Sequence, residues 1–268
     1  MQKIAEAAGA EKRRKTAAGT AELVAIFLCG GRGARMRGSV PDKILAPLAG
    51  TPVLAHSLRA FEAAGIFTRA IFVFRDEAQR AEIAGLAAQF APRLASAGTL
   101  FCVGGTERRD SVFNALSAAT DFFEKAGKSA DSPLVFIHDC ARPLVRSEFL
   151  RTLAETALRE GAAVAAHRCR NTVKRVPAGT PDGKACAAED LDRARLWETE
   201  TPQVFALGKI FAAYKAAKTQ NLAPTDDVGA AAAAGVPVAF VENPFPNPKL
   251  TLPEDFLFCE AVLRSRGE

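Results

Sequence analysis

Apolar and polar positions alternate along the chain in blocks that predict strands and helices in turn. Residues 23–28, LVAIFL, form an apolar run rich in branched side chains, the pattern of a central parallel strand buried on both faces. Similar runs recur, and segments with helical periodicity separate them, so we predict a parallel sheet with right-handed crossovers. The predicted strands are 23–28, 70–74, 99–103, 134–137, 162–166, 237–241 and 247–251, and the predicted helices are 52–64, 76–90, 109–118, 147–159, 209–218 and 253–264, with another helix that starts at Thr225 and Asp226.

One segment breaks this alternation. Residues 167–200 are polar, are interrupted by Pro and Gly, and lack a helical period, which predicts an extended arm or hairpin that leaves the domain. Because such an arm has little core of its own, pairing with a second copy of the chain would stabilise it. We therefore predict an α/β, Rossmann-like fold with a mostly parallel central sheet flanked by helices, and a protruding β-arm at about 168–200 that forms a homodimer.

Length and charge indicate the number of domains and exclude some classes of partner. A chain of 268 residues suits one large α/β domain, which we expect at 21–268. The formal net charge is +5, but residues 1–20 hold five basic and two acidic side chains and therefore supply +3 of it. We expect this basic tail to be disordered, and the remaining charge of +2 argues against nucleic acid as a partner. No apolar run reaches the roughly 18 to 20 residues of a membrane span, so we expect no membrane partner.

The cysteines point to a reducing compartment. They are spread singly, mostly inside apolar runs, and none forms the CxxC pair that is typical of zinc or redox chemistry. We interpret them as buried, reduced thiols of a cytoplasmic protein. The six are Cys29, Cys102, Cys140, Cys169, Cys186 and Cys259.

The first predicted strand ends in a glycine-rich, basic segment, CGGRGARMRGSVPDK at 29–43. Gly31 and Gly33 lack Cβ atoms, so the backbone N–H groups there can approach phosphate oxygens, as in an anion-binding nest. Arg35 adds a planar fork of donors and Lys43 a mobile point charge, and together they suit a triphosphate. A plain glycine turn with solvated charges is the alternative. A Walker A loop fails because no Gly-Lys-Ser/Thr follows, and a dinucleotide fingerprint fails because its third glycine is missing.

Two later strands also end in polar loops. Ligands of parallel sheets bind beyond the carboxyl ends of the strands, so these loops should converge with the glycine-rich segment. The first loop, GGTERRDSV, opens a helix with Arg109 and Ser111, and this N-terminus can bind an anion or a base edge; plain capping by Thr106 is the alternative. The second, HDCARP, places Asp139 where a carboxylate can hold Mg²⁺ between substrate phosphates. We interpret His138 as an oriented structural group.

Taken in order, these motifs resemble the 2-C-methyl-D-erythritol 4-phosphate cytidylyltransferase family, nucleotidyltransferases that join CTP to a sugar-alcohol phosphate. The family's patterns G-x-G-x-R-M and G-G-x-x-R-x-x-S-V both occur. Two departures stand out, because this chain has Pro41-Asp42-Lys43 where the family usually has Pro-Lys-Gln, and Thr106 where an acid is common. The matching motifs are GGRGARM with the lysine of PDK, GGTERRDSV, HDCARP, NTVKRV, LDRARLWETETPQVF, PTDD and NPKLTLPEDF, and they cover nearly everything from Leu23 to Leu263.

The resemblance implies a role for each matched residue. It implies that Arg35, Lys43 and Lys249 are catalytic, stabilising the charge of the transition state, and that Mg²⁺ is the cofactor, held by Asp139. It also implies an active site shared between two subunits, because two arm residues would reach across the dimer to the acceptor phosphate. The CTP triphosphate would be bound by Gly31, Gly33, Arg35 and Lys43; cytosine and ribose by Gly105, Thr106 and Ser111; and the acceptor by Thr172 and Arg193 of the arm with Thr201, Asp226 and Lys249.

Other functions remain open at this point. A related enzyme that acts on ribitol 5-phosphate would have a similar nucleotide half, because acceptor choice lies in the arm and near Asp226 and Lys249. A nucleotide-binding regulator without turnover is a second alternative, although it would not need the full set of charged residues. A scaffold that only dimerises through its arm is a third, and it predicts no CTP-dependent thermal shift.

Overall fold

The computed structural model describes residues 21–31 and 42–268. The predicted tail at 1–20 and the predicted site residues Gly33 and Arg35 lie outside the described residues. Within them the helices are α1 Val53–Ala64, α2 Glu77–Phe90, α3 Pro92–Ser96, α4 Arg108–Lys125, α5 Ser147–Glu160, α6 Leu207–Thr219, α7 Asp227–Ala233 and α8 Glu254–Ser265, with a 3₁₀ turn at Arg193–Arg195. The strands are β1 Leu23–Leu28, β2 Pro47–Leu48, β3 Thr51–Pro52, β4 Arg69–Phe74, β5 Leu100–Val103, β6 Leu134–Asp139, β7 Ala162–Arg168, β8 Lys174–Arg175, β9 Glu189–Asp190, β10 Trp197–Ala206 and β11 Ala239–Glu242.

A mixed sheet of seven strands forms the centre, in the order β11-β7-β10-β6-β1-β4-β5. β1 runs parallel to both β4 and β6, and β10 runs antiparallel to β6 and β7. This confirms the predicted Rossmann-like α/β fold with a mostly parallel sheet. In the register of β1 and β6, Leu28 lies opposite Asp139, so the polar loops that follow these two strands leave the sheet side by side.

The core lies on both faces of the sheet, and β1 contributes to each. Alternate residues of this strand point in opposite directions, so Phe27 packs into one apolar cluster and Ile26 into the other. The Phe27 ring stacks on Phe72 with centroids 4.9 Å apart and contacts Phe61 at 4.8 Å. β1 is thus buried on both faces, and the glycine-rich segment starts at the end of this core strand.

Several element predictions need correction. Residues 247–251 do not form a strand: Pro248 cannot donate to a ladder, and Leu250 N–H bonds instead to the Ala141 carbonyl at 2.8 Å. The helix predicted at 109–118 is α4, which is a full seven residues longer at its carboxyl end. β10, whose antiparallel course completes the sheet, was missed because its apolar part, around PQVFA, is short.

The predicted arm is exposed. No residue from 167 to 199 is buried, and between the end of β7 and the start of β10 the chain forms the two-residue strands β8 and β9, which pair antiparallel, and a 3₁₀ turn. This is the hairpin expected for an arm, and its pairing with a second copy stays a prediction. Cys186 lies here and is exposed, so the prediction of buried thiols is wrong for it; Cys29, Cys140 and Cys259 are buried, and Cys102 and Cys169 are half-buried. In residues 21–31 and 42–268, no helix is long and apolar enough to cross a bilayer.

Candidate active site

A cleft of about 730 Å³ opens where β1, β4, β5 and β6 end. This is the edge at which the sequence predicted the polar loops to converge. Seven predicted site residues line it, together with Arg75 and Arg108, which the sequence analysis did not single out. The seven are Gly31, Lys43, Gly105, Thr106, Ser111, Asp139 and Lys249.

The turn after β5 aims the N-terminus of α4 at this cleft. The Gly105 N–H donates to the Ser111 hydroxyl at 3.0 Å. A Cβ atom at Gly105 would lie 2.2 Å from the Cβ atom of Asp110, so only glycine fits. Glu107 and Asp110 form a reciprocal capping box, so Thr106 does not cap α4, as the alternative interpretation of this loop required. The exposed Thr106 side chain is therefore free of a capping role and faces the cleft.

Asp139 is the central carboxylate of the cleft, and two cations hold it. Its Oδ1 accepts from Arg108 Nε at 2.9 Å and its Oδ2 from Lys249 Nζ at 2.6 Å. Burial alone would raise the pKa of Asp139, but the charges of Arg108 and Lys249 outweigh it and hold that pKa far below its ordinary value. The group is therefore a carboxylate at every physiological pH.

Arg108 is anchored from behind. Its two terminal nitrogens donate to the two oxygens of Asp227 at 3.0 and 2.9 Å, and the Tyr214 hydroxyl donates to the same carboxylate at 2.6 Å. Asp227 is fully buried, and burial together with this carboxylate raises the pKa of Tyr214. The arginine of the pattern G-G-x-x-R-x-x-S-V is Arg108, so the sequence contained a signal for this residue. The sequence analysis named Arg109 instead, and Arg109 pairs with the exposed Glu107.

The two predicted catalytic lysines approach the same short segment. Lys43 Nζ donates to the carbonyl of Leu250 at 2.9 Å, one residue beyond Lys249. The segment itself is fixed by Asn247, whose side chain donates to Glu200 and to the Thr201 carbonyl, each at 3.0 Å. The cleft lining therefore includes four cationic side chains, Lys43, Arg75, Arg108 and Lys249.

Thr201 and His138 lie beneath the cleft. The Thr201 hydroxyl accepts from the backbone N–H of Asp139 at 3.0 Å and lies 3.3 Å from His138 Nδ1. On its other side, His138 Nε2 lies 3.1 Å from the Ser57 hydroxyl. Both ring nitrogens are thus engaged, as expected for an oriented structural group, and Thr201 acts here on the position of Asp139.

Three other predicted acceptor residues do not line the cleft of this single chain. Asp226 caps α7, accepting from Gly229 N–H at 2.8 Å, and its other oxygen accepts from the Thr199 hydroxyl at 2.9 Å. Thr172 and Arg193 are exposed on the arm, where Arg193 donates to the Arg170 carbonyl at 2.9 Å.

The fold and the cleft together define a class. A Rossmann-like sheet, glycine turns at the ends of two strands, a helix N-terminus and paired cations around one carboxylate form a site for a polyphosphate. The class is that of α/β nucleotidyltransferases, and sequence comparisons specify the family.

The family model for 2-C-methyl-D-erythritol 4-phosphate cytidylyltransferase matches residues 23–265. A relative of that name from Geobacillus kaustophilus is 37% identical over 242 residues, which cover 90% of this chain and 97% of the relative. The crystal structure of the protein of the same name from Thermus thermophilus has 26% identity and a TM-score of 0.67, covering 91% of this chain and 99% of that one. A 4-diphosphocytidyl-2C-methyl-D-erythritol synthase from Anaerococcus prevotii, at 22% identity and a TM-score of 0.73, shares the fold over 91% of this chain and 99% of that one. The chain belongs to the 2-C-methyl-D-erythritol 4-phosphate cytidylyltransferase family.

The environment of His138 predicts a loss of stability in mild acid. Burial lowers the pKa of His138 from 6.5 to about 3. The imidazole of His138 takes up a proton near pH 6.5 in the unfolded chain but only near pH 3 in the folded chain. The contribution of the neutral ring to the stability of the fold is therefore complete above pH 6.5 and is lost as the pH falls. Between roughly pH 6 and 4 we expect His138 to lower the free energy of unfolding by about 1.4 kcal/mol per pH unit.

Urea unfolding of the wild type and of His138→Gln across this range measures the effect. The buried His56, whose pKa burial also lowers, is present in both proteins, so its contribution cancels in the difference. Equal pH slopes in the two proteins would contradict the prediction.

Proposed function

We propose that this protein joins CTP to 2-C-methyl-D-erythritol 4-phosphate, giving 4-diphosphocytidyl-2-C-methyl-D-erythritol and pyrophosphate. The observation that carries the proposal is the Asp139 carboxylate held between Arg108 and Lys249 in a glycine-lined cleft of a chain that belongs to this family. Membership of the family makes the protein a nucleotidyltransferase. What we propose beyond this is the identity of the acceptor and the role of each residue.

The reaction needs no nucleophile from the protein. A phosphate oxygen of the acceptor attacks the α-phosphorus of CTP in line, a new P–O bond forms, and the bond to the β-phosphate bridging oxygen breaks as pyrophosphate leaves. Both reactants are anions, so catalysis consists of holding them together and neutralising their charge. The side chains around the cleft supply both functions.

Lys43 and Lys249 would stabilise the crowded negative charge of the transition state. Arg35, which is not among the described residues, would have the same role. Lys249 forms an ion pair with Asp139. Substrate phosphates offer this mobile ammonium group an alternative partner, whereas Arg108 is tied to the buried Asp227 and would keep orienting Asp139. Gly31 and Gly105 would give the nucleotide close access to the backbone, and Thr106 and Ser111 would contact its cytosine and ribose.

Mg²⁺ fits the site as a partner of the substrate. Among the described residues, no group of three or more His, Cys, Asp or Glu side chains could hold a metal ion, so Asp139 would hold it together with triphosphate oxygens. Mg²⁺ commonly binds in this way, through one or two carboxylates, water and substrate phosphates. When bound, the ion neutralises phosphate charge.

The acceptor would bind between the cleft and the arm of a second subunit. Thr172 and Arg193 are exposed on the hairpin, as residues that reach a neighbouring copy must be. Thr201, which lies beneath Asp139, and Asp226, at the start of α7, would complete the acceptor pocket. This arrangement makes the protein a homodimer with two shared sites, and we propose that it works in the cytoplasm.

Pyrophosphate release tests the choice of acceptor. Purified protein with Mg²⁺ and CTP should release pyrophosphate with methylerythritol 4-phosphate and not with ribitol 5-phosphate. Release with ribitol 5-phosphate alone would show that ribitol 5-phosphate is the acceptor and would leave the proposed mechanism unchanged. Binding of CTP without release from either acceptor would favour the nucleotide-binding regulator.

Replacing Lys43 should abolish turnover. By comparison with other phosphoryl-transfer sites, Lys43→Ala should lower kcat on the order of 10³-fold, because a cation beside the phosphates is lost. The exposed Lys125 at the end of α4 supplies the control Lys125→Ala, which removes the same charge away from the cleft. Steady-state pyrophosphate release measures both, with thermal unfolding to check the fold. Near-normal activity in Lys43→Ala would refute the role of this lysine.

A shared site predicts complementation between two inactive variants. In a heterodimer of Lys43→Ala and Arg193→Ala, one site would combine the intact Lys43 of one chain with the intact Arg193 of the other. Random exchange at equal concentrations should recover about a quarter of wild-type activity, since half of the dimers would carry one intact site out of two. Sedimentation should show a dimer before and after mixing. A monomer at micromolar concentration, or a mixture that stays inactive, would exclude a shared site.

A further inference from the structure

Gln79, on α2, links the two ends of the glycine-rich segment. Its Nε2 atom donates to the Cys29 carbonyl at 3.0 Å and to Asp42 Oδ2 at 2.7 Å. Cys29 directly follows β1, and Asp42 directly precedes Lys43, so one amide group bridges the residues on either side of the segment 30–41. Both of its N–H bonds are used by these two contacts.

The position of this amide is itself fixed. Gln79 is only 2% exposed, and its Oε1 accepts from the backbone N–H of Arg75 at 2.7 Å. Arg75, which follows β4 and lines the cleft, donates from its guanidinium to Asp42 at 3.2 Å. The second oxygen of Asp42 accepts from Ile44 N–H at 3.1 Å, which closes a turn around Lys43. Every polar group of the Gln79 amide therefore has a partner.

We infer that Gln79 is a positioning residue for nucleotide binding, which acts by fixing Lys43 and Gly30–Gly31 relative to each other. The inference rests on the proposed function, since it takes the triphosphate of CTP as the ligand. It also gives a meaning to Asp42, part of the Pro41-Asp42-Lys43 sequence by which this chain departs from the family's usual Pro-Lys-Gln: the carboxylate is the acceptor that Gln79 and Arg75 require. Gln79 touches no substrate in this role and acts through the residues it holds.

The variant Gln79→Glu tests this with almost no change in volume. It replaces the donor Nε2 with a carboxylate oxygen that faces a carbonyl and a second carboxylate, so both contacts become repulsive. We expect the dissociation constant of CTP, measured by calorimetry with Mg²⁺ and without acceptor, to rise about tenfold. Gln89→Glu makes the same substitution at an exposed position of the same helix and should bind CTP like the wild type.

A double variant separates positioning from general loosening of α2. In Asp42→Asn with Gln79→Glu, the asparagine amide can donate to the glutamate, which restores one of the two contacts with the direction reversed. Binding should then return to within about threefold of the wild type. Damage to the helix itself would not be repaired by a change at residue 42. If Gln79→Glu does not fold, as judged by thermal unfolding, Asp42→Ala removes the same link from its other end and should weaken CTP binding by a similar factor.

The outcomes are distinct. Weaker binding in Gln79→Glu with recovery in the double variant supports the inference. Binding equal to that of Gln89→Glu, or a loss that the double variant does not reduce, overturns it while the proposed function stands. A wild-type protein that binds no CTP overturns the proposed function and this inference together.

Discussion

The buried charge of Asp139 is the constraint on which the site depends. A carboxylate at the end of a central strand is stable only if cations compensate for its lost hydration. Arg108 and Lys249 provide this compensation from opposite sides, and they come from α4 and from the segment before α8, more than one hundred residues apart in sequence. Holding this one charge therefore brings three distant parts of the chain to the same edge of the sheet.

The two cations differ in how they are held, and this difference suits a transfer reaction. Arg108 is fixed by two hydrogen bonds to Asp227, which is buried and also bonded to Tyr214. Losing one partner of such a buried pair typically costs about 3 to 5 kcal/mol, so this arginine is part of the fold as much as of the site. Lys249 has a single mobile ammonium group and is one-third exposed in its side chain. Arg108 can therefore orient the carboxylate while Lys249 follows the substrate, and these two functions complement each other.

The turn at Gly105 and the start of α4 form the part of the site next to these charged side chains. Gly105 is required because any side chain would collide with Asp110, and the residues around the start of α4, Thr106, Arg108 and Ser111, line the cleft. The rear of the site is equally constrained, since Thr201 supports the backbone of Asp139 and Asn247 fixes the segment that carries Lys249. The fold thus holds donors and cations in fixed positions, which is the condition for electrostatic catalysis.

By itself, the sequence determined the Rossmann-like class, most of the helices and strands, and the chemistry at the strand ends, because period, glycine spacing and strand-end residues are local properties of the chain. Asp139 and Lys249 could be named from their motifs, and so could Gly105. Only the tertiary structure decided which groups meet. The pairing of Arg108 with Asp227, the antiparallel course of β10, and the link from Gln79 to both Cys29 and Asp42 depend on contacts between residues far apart in sequence. No period or spacing records such contacts, because they follow from how the sheet orders its strands and not from any one segment.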